Sequence, residues 1–330
     1  MTAITNTYLS SSAKGNREEL SDIVSRITPT DTPLYSTIEK ESSSAIRSEW
    51  EIDTLRAPAA NAQAEGDQYA YTAITAPTRA SNIQQIFREG WIVSKSQEAV
   101  SNAGSVEKAK TAKLKAAIVV RKDIELATLT PTASKLTDPR NLGGLPSWLT
   151  TNTSRGATGA NGGFSVGTGL TVAPTPGTQR TFTKALLDAG LQSCFINGAT
   201  VEDVMCSPYI KTVFTTFMAD SNVAAFRYQA DAKRKTTAIS TVDFYTGSFD
   251  TVAIIPNRVM ATNANVARNV FLLDYSKMSM KVLRQMGDDP DIATNADAKA
   301  GMIVTEQTLA VKNEAGLGVV ADVFGLTAST

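Results

Sequence analysis

The sequence predicts an α+β fold of 330 residues, in which a projecting β-hairpin, one long helix and a mixed α/β region follow in that order. Apolar and polar side chains alternate in two runs, residues 45–54 and 82–94, and this two-residue period is typical of half-exposed strands. Apolar residues then recur at helical spacing over residues 105–129. After Thr181, short strand patterns and helix patterns alternate.

The two alternating runs are expected to pair as the strands of one extended hairpin. At roughly a dozen residues per strand, this arm would reach about 40 Å. Its tip, residues 57–77, is polar and rich in alanine. A two-stranded arm is marginally stable by itself, so we expect another subunit to cover its apolar face. That face comprises Ile46, Trp50, Ile52, Phe87 and Trp91.

The longest helix pattern covers residues 105–129, with Ser105 as the expected N-cap and Pro131 just beyond the end. About 25 residues in an α-helix extend roughly 37 Å. A shorter helix is expected at residues 17–26, followed by an extended stretch at 28–33 that contains two prolines. The predicted apolar face of the long helix comprises Ala109, Ala112, Ala116, Val119, Val120 and Ile124.

A segment rich in glycine, proline, serine and threonine, residues 141–176, follows the long helix and is the best candidate for a domain boundary. Within it, residues 145–149 form an apolar island, and the glycine-rich residues 155–169 are expected to be a mobile surface loop.

The rest of the chain is predicted to be α/β. Ser207 followed by Pro208 is typical of a helix start, because proline is favoured at the first helical position. A second helix is expected around Leu186. The other expected elements are strands at 201–206, 270–273 and 279–284, a hairpin at 239–259, and two strands within 302–324 around a turn at 313–318.

Composition excludes several functions. The 32 basic and 32 acidic residues cancel, so the chain has no overall attraction to nucleic acid or to an anionic membrane. The sequence has no histidine, which excludes Ser-His-Asp and Cys-His catalytic arrangements and removes the commonest metal ligand. Cys194 and Cys206 are too few for a disulfide framework and fit small buried apolar positions better.

Three segments contain residue types found at chemical sites, and a structural role is favoured for each. Cys206-Ser207 stands at a strand-to-helix turn, where nucleophiles occur, but no histidine would activate it. The glycine-rich residues 156–169 lack the spacing of a phosphate-binding loop. The acidic turn at 288–291 could hold a divalent cation, although its spacing fits no EF-hand. We therefore predict no catalytic, cofactor-binding or metal-binding residue, and no cofactor.

Basic residues are clustered twice. Lys108, Lys110, Lys113 and Lys115 make the start of the long helix basic, but at 100° per residue they form no single stripe. They predict at most weak, sequence-independent contact with DNA. A second cluster, Arg227 with residues 233–235, is expected to be an exposed loop or to pair with another subunit. The chain carries neither a signal-peptide pattern nor an apolar run of 18 residues, so no membrane partner is expected.

Five stretches in a fixed order carry a resemblance to a known family. They are Ile27-Thr-Pro-Thr-Asp-Thr-Pro-Leu34, Ala64-Glu-Gly-Asp67, Ser96-Gln-Glu-Ala-Val100, Leu142-Gly-Gly-Leu-Pro-Ser-Trp-Leu149 and Pro256-Asn-Arg258. With the order of the predicted elements, they make the chain similar to the major capsid protein of tailed bacteriophages, of the Hong Kong ninety-seven phage type. The resemblance extends over essentially the whole chain.

The resemblance implies an assembly of many copies, as hexamers and pentamers, into the icosahedral head shell of a tailed double-stranded DNA phage. It implies localisation in the virion after assembly in the host cytoplasm. Portal, scaffolding and decoration proteins are further expected partners, with only weak contact to the packaged DNA. The implied divisions are an N-terminal arm at 1–44, an extended loop at 45–94, a peripheral domain at 95–179 and 301–330 with a spine helix at about 103–130, and an axial domain at 180–300.

Two departures limit what the resemblance implies. The arm begins almost at once, so a scaffold would be a separate protein or dispensable. No lysine occurs between Lys40 and Lys95, so the lysine-dependent weld of the type member cannot be carried over, and cohesion is expected to be noncovalent. The alternatives are a protein nanocompartment shell of the same fold and a histidine-free α/β enzyme.

Overall fold

The structure is a computed structural model that describes residues 28–68, 71, 73–74, 76–100, 108–217, 244–249, 251–289 and 297–323. The predicted helix at 17–26, the N-cap Ser105 and the basic cluster at Arg227 lie outside the described residues.

The helices are α1 (Pro33–Thr37), α2 (Lys95–Ala99), α3 (Lys108–Leu129), α4 (Lys184–Ile196), α5 (Pro208–Phe217) and α6 (Ala264–Ala267). The strands are β1 (Glu39–Ser42), β2 (Arg47–Ile52), β3 (Thr78–Ile83), β4 (Gln85–Ser94), β5 (Thr153–Ser154), β6 (Gly163–Ser165), β7 (Leu170–Val172), β8 (Asp203–Cys206), β9 (Phe244–Thr246), β10 (Thr251–Pro256), β11 (Val270–Leu273), β12 (Met278–Asp288), β13 (Ala298–Val311) and β14 (Gly318–Val320).

A four-stranded sheet with the order β1-β12-β13-β4 forms one half of the subunit. β1 is parallel to β12, and the other two pairs are antiparallel. Helix α3 packs on β4 and β13, which confirms the predicted long helix within the described range. Ala116, Val120 and Ile124 of α3 are buried as predicted, whereas Val119 is 40% exposed because it lies about 100° around the helix from Val120, at the edge of the buried face.

The predicted pairing of the extended hairpin is wrong. β2 pairs with β3, whereas β4 pairs with β13 over its whole length. The chain changes sheets at Gln84, whose amide nitrogen donates to Ser48 Oγ at 2.8 Å and to the Lys281 carbonyl at 3.3 Å. Gln84 is fully buried, and its backbone N–H donates to the Ile46 carbonyl. The hairpin therefore has strands of only six residues.

A six-stranded sheet with the order β5-β14-β11-β8-β10-β9 forms the other half. Helices α4 and α5 bury apolar side chains in the core on this sheet, among them Leu191 and Phe214. The start of α5 at Pro208, the strand Val270–Leu273 and an antiparallel pair within 239–259 confirm the sequence predictions. Residues 239–243 of that hairpin lie outside the described residues.

Strand pairing crosses the domain limit predicted near residue 300. β12, from the range assigned to the axial domain, pairs with β13, and β14, from the range assigned to the peripheral domain, pairs with β11. Only residues 312–317 separate β13 from β14. The terminal strands thus connect both sheets, and the domain limits drawn from the sequence stay a prediction.

The glycine-rich residues predicted to form a surface loop contain a small hairpin. β6 and β7 pair antiparallel, and Ala160 bridges to Thr175 behind them. The buried carboxylate of Asp322 accepts the N–H groups of Gly156 at 3.0 Å and Gly177 at 2.9 Å. These bonds hold the segment to the last described residues. Within 155–169 only residues 163–165 form a strand, and the mobility expected for this loop stays a prediction.

The described part of the predicted N-terminal arm packs on its own subunit. Leu34, Tyr35 and Ile38 are buried in the core that α3 also enters, and β1 is an edge strand of the four-stranded sheet. Over the residues that the structure describes, no helix is long and apolar enough to span a membrane.

Candidate assembly surface

The base of the β2–β3 hairpin is fastened to the core of its own subunit. The Trp50 ring lies 5.4 Å from the Trp148 ring, centroid to centroid, and its indole N–H donates to the Val311 carbonyl at 2.9 Å. On the far side of Trp148, Phe164 of β6 stacks at 5.3 Å with an interplanar angle of 5°. The three rings anchor the hairpin between β13 and β6, as expected for tryptophans that serve packing.

The apolar face predicted to need a neighbouring subunit is mostly covered within the subunit. Phe87 is 6% exposed, and Trp50, Ile52 and Trp91 pack against the same core, whereas Ile46 is 49% exposed. The expectation of an uncovered apolar face on the strands is therefore wrong. The cause is the sheet change at Gln84, which places β4 in the four-stranded sheet instead of along the arm.

The tip of the hairpin has the opposite character. Every described residue from Asp53 to Arg79 is exposed. Leu55, Tyr71 and Ile74 are 96%, 96% and 97% exposed, which is unusual for large apolar side chains this close together in sequence. Near the end of the outgoing chain a turn is closed where the Asp67 N–H donates to the Ala64 carbonyl at 3.2 Å. The tip therefore presents apolar surface that the described part of its own subunit leaves open.

Charges line the base of the hairpin. Arg79 pairs with Glu49 across β2 and β3 at 3.4 Å, and both side chains are well exposed. Such a pair contributes little to stability because water screens it. The surface at the base is thus polar, and the apolar groups lie farther out on the tip.

The residues weighed for chemistry have structural surroundings. Cys206 is fully buried, and burial raises the pKa of its thiol to about 12. Ser207 is also buried, and its Oγ accepts the Ile210 N–H at 3.4 Å, as expected for an N-cap. These contacts keep the thiol protonated and use the hydroxyl for helix capping.

The charged segments are partly paired. Lys113 Nζ lies 2.8 Å from Asp288 Oδ2, which joins the start of α3 to the acidic turn weighed as a cation site. Asp291 and Pro290 lie outside the described residues. Within the described ranges, no group of three or more cysteine, aspartate or glutamate side chains is placed to hold a metal ion.

Comparison with known proteins identifies the family. The model of a family described as SU10 major capsid protein matches residues 3–324. The chain belongs to this family. It is therefore a shell-forming major capsid protein, a structural component of an icosahedral bacteriophage shell. No curated protein matches the sequence.

Solved structures show the same fold at low sequence identity. The capsid asymmetric unit of cyanophage A-1(L) is 16% identical, with a TM-score of 0.63 over 97% of this chain and 99% of that chain. A structure from Gordonia phage Cozz is 11% identical, with a TM-score of 0.59 over 98% of each chain. The SrpI encapsulin complex of Synechococcus elongatus is 12% identical, with a TM-score of 0.55 over 96% of this chain and 95% of that chain. The predicted phage capsid fold is confirmed.

Sequence reasoning missed one polar residue at the centre of the core. Glu125 is fully buried on α3, next to Ile124. An acidic residue within an apolar helical stripe is the signal that could have identified it, because a buried carboxylate requires hydrogen-bond donors.

Proposed function

We propose that the tip of the β2–β3 hairpin binds a neighbouring copy of this major capsid protein and so holds adjacent subunits together in the shell. The contrast in burial carries this proposal: the base is packed on its own core, while Leu55, Tyr71 and Ile74 stand almost fully exposed. Covering one such side chain stabilises a contact by about 1.5–3 kcal/mol. Many copies of a modest contact then stabilise the whole shell.

Deleting residues 57–77, with the ends joined by a short glycine-rich turn, tests this proposal because it removes Tyr71 and Ile74, two of the three exposed apolar side chains, and leaves Leu55 in place. We expect a folded subunit with an unchanged urea midpoint, because the deleted residues are exposed wherever they are described. We expect no closed shells by electron microscopy or sedimentation. Normal shells from the deletion variant would disprove the proposal.

Co-assembly with the full-length chain supplies the control. A subunit without the tip can still receive a neighbour's tip, so it should enter mixed particles at a reduced proportion. If the deletion variant stays out of mixed particles altogether, the deletion has damaged the receiving surface or the fold.

The assembly is further proposed to consist of hexamers and pentamers, built in the host cytoplasm with separate portal, scaffolding and decoration proteins. Cohesion would be noncovalent, because the segment between Lys40 and Lys95 contains no lysine. The alternative is a nanocompartment shell, which the similarity to an encapsulin leaves open at the level of fold. Purified particles that hold an enzyme instead of DNA would favour that alternative.

Contact with the packaged DNA is proposed to be weak and independent of sequence. The net charge is zero, and one of the four lysines near the start of α3, Lys113, pairs with Asp288. Replacing Lys108, Lys110, Lys113 and Lys115 with glutamine should leave shell formation largely intact. Purified subunits should show no duplex binding near physiological salt in a fluorescence anisotropy titration. Nanomolar, sequence-selective binding would contradict this expectation.

A further inference from the structure

Glu125 is a fully buried carboxylate in the middle of an apolar core. It lies on α3 beside Ile124, and Val120 and Leu129 of the same helix are also fully buried. Burial of a carboxylate is unfavourable unless hydrogen-bond donors surround it. The surroundings of Glu125 therefore indicate why an acid occupies a position that an apolar residue would fill more simply.

Three neutral donors from two distant parts of the chain bind the Glu125 carboxylate. Its Oε1 accepts the Leu34 N–H at 3.0 Å and the Asn257 Nδ2–H at 2.6 Å, and its Oε2 accepts the Tyr35 N–H at 2.7 Å. Burial raises the pKa of Glu125, and the three donors partly oppose that rise. Both carboxylate oxygens therefore accept hydrogen bonds. The N–H groups of Leu34 and Tyr35 are held in place by the backbone, and the Asn257 side chain is held by its other hydrogen bonds.

Asn257 is held in a single orientation. Its backbone N–H donates to the Cys206 carbonyl at 2.8 Å, and its side-chain Oδ1 accepts the Val259 N–H at 2.9 Å. The side-chain amide nitrogen is left to bind Glu125. Because Cys206 ends β8 and Asn257 follows β10, this residue connects the six-stranded sheet to α3.

An ion pair closes the same junction on the outside. Arg258 NH1 lies 3.3 Å from Asp31 Oδ2, and both side chains are exposed. Two of the stretches singled out in the sequence, residues 27–34 and 256–258, therefore meet at α3 although more than 200 positions separate them. This junction is separate from the hairpin tip that is proposed to bind a neighbouring subunit.

We propose that Glu125 is a positioning residue for shell assembly: it fixes the chain at Leu34 and Tyr35 against α3 and the six-stranded sheet, and so sets the path of the exposed residues 28–31 on the subunit surface. This proposal rests on the assembly role proposed above and is independent of the hairpin tip. The carboxylate suits this role because its two oxygens accept bonds only along defined directions. An apolar side chain would fill the space without fixing a direction, and it would leave the three donors without an acceptor.

The test compares Glu125→Gln with two neighbours on the same helix. Glutamine keeps the size of the side chain, but its NH2 group would face a donor in place of one oxygen. Asp123→Asn removes a charge from an exposed position two residues away and leaves the junction intact. Ile124→Val removes one buried methylene beside Glu125. It lowers the stability of the core but leaves the Glu125 carboxylate unchanged, so it serves as the control for a loss of stability.

Two readouts separate positioning from stability. Amide hydrogen exchange of a peptide covering residues 28–38 should be about tenfold faster, or more, in Glu125→Gln, because a buried hydrogen bond to a charged group is lost. The same variant should form fewer closed particles, with a wider size distribution in electron micrographs. Asp123→Asn should match the wild type in both readouts, and Ile124→Val should assemble normally although its urea midpoint falls below that of the wild type.

Arg258→Ala keeps the proposal testable if Glu125→Gln fails to fold, because it removes only the exposed ion pair. It should speed exchange of residues 28–33 and reduce closed particles to a smaller extent. The proposal is overturned if exchange in Glu125→Gln stays at the wild-type rate, or if faster exchange leaves particle size and yield unchanged. Equal assembly defects in Glu125→Gln and Ile124→Val would also overturn it, since stability alone would then explain both.

Discussion

The base and the tip of the β2–β3 hairpin belong to one short segment, yet they have opposite relations to the subunit. At the base, the Trp50 ring contacts Trp148 and its N–H group binds the Val311 carbonyl. At the tip, Leu55 and Tyr71 are each 96% exposed. Apolar residues in the same hairpin thus serve two purposes. Those at the base stabilise the subunit, and those at the tip are the ones proposed to bind another copy.

The largest expected effect is at the base. Trp148 is 2% exposed and lies between Trp50 and Phe164, so Trp148→Ala should lower the free energy of unfolding by about 3–5 kcal/mol. Urea unfolding of the unassembled subunit, followed by circular dichroism, measures this loss. A loss below about 1 kcal/mol would mean that the three rings do not anchor the hairpin.

An intermediate effect on stability is expected from low pH, through Glu41 on β1 of the four-stranded sheet. Lys281 and Lys312 lower the pKa of Glu41 to about 2. Since the folded-state pKa is below the unfolded value of about 4.3, this stabilisation is present above pH 4.3 and is lost as the pH falls toward 2. Solvent screening limits it to about 1 kcal/mol. Glu41→Gln should flatten this part of a plot of urea midpoint against pH, whereas an unchanged slope would assign the acid sensitivity to other groups.

The smallest effect on stability is expected at the tip. Replacing Leu55, Tyr71 and Ile74 together with serine should change the free energy of unfolding by less than about 0.5 kcal/mol. The yield of closed particles should nevertheless fall by at least about tenfold, because three apolar contacts per subunit are lost. A matched control places serine at Ala59, Ala60 and Ala62, where little apolar surface is removed. Equal particle yields from both triple variants would remove the distinction between tip and base.

Local pattern predicted the elements better than their partners. The alternation around Trp50 and the helical spacing through Ile124 correctly indicated a strand and a helix, because each period depends on neighbouring residues alone. Nothing local indicates that the strand after Gln84 pairs with residues 298–307 instead of with β2. That choice depends on contacts between residues more than 200 positions apart.

The candidate surface was predicted in part for the same reason. The projecting tip at residues 57–77 was predicted as a polar, alanine-rich loop, and the exposed apolar side chains of Leu55, Tyr71 and Ile74 were missed. The covered base required knowledge of Trp148 and Val311. Glu125 was missed because helical periodicity selects apolar residues. A buried acid can be recognised from the sequence only as an interruption of that pattern.

The long strand β13 has a consequence for the order in which the protein is made. Its partner β4 lies within the first hundred residues, and Val311, whose carbonyl accepts the Trp50 indole N–H, is its last residue. A ribosome must therefore complete nearly the whole chain before this sheet can close, and contacts so distant in sequence form slowly. Until then the hairpin lacks its anchor on β13. Only a finished subunit can present the tip in a fixed direction, which delays joining between copies until synthesis is complete.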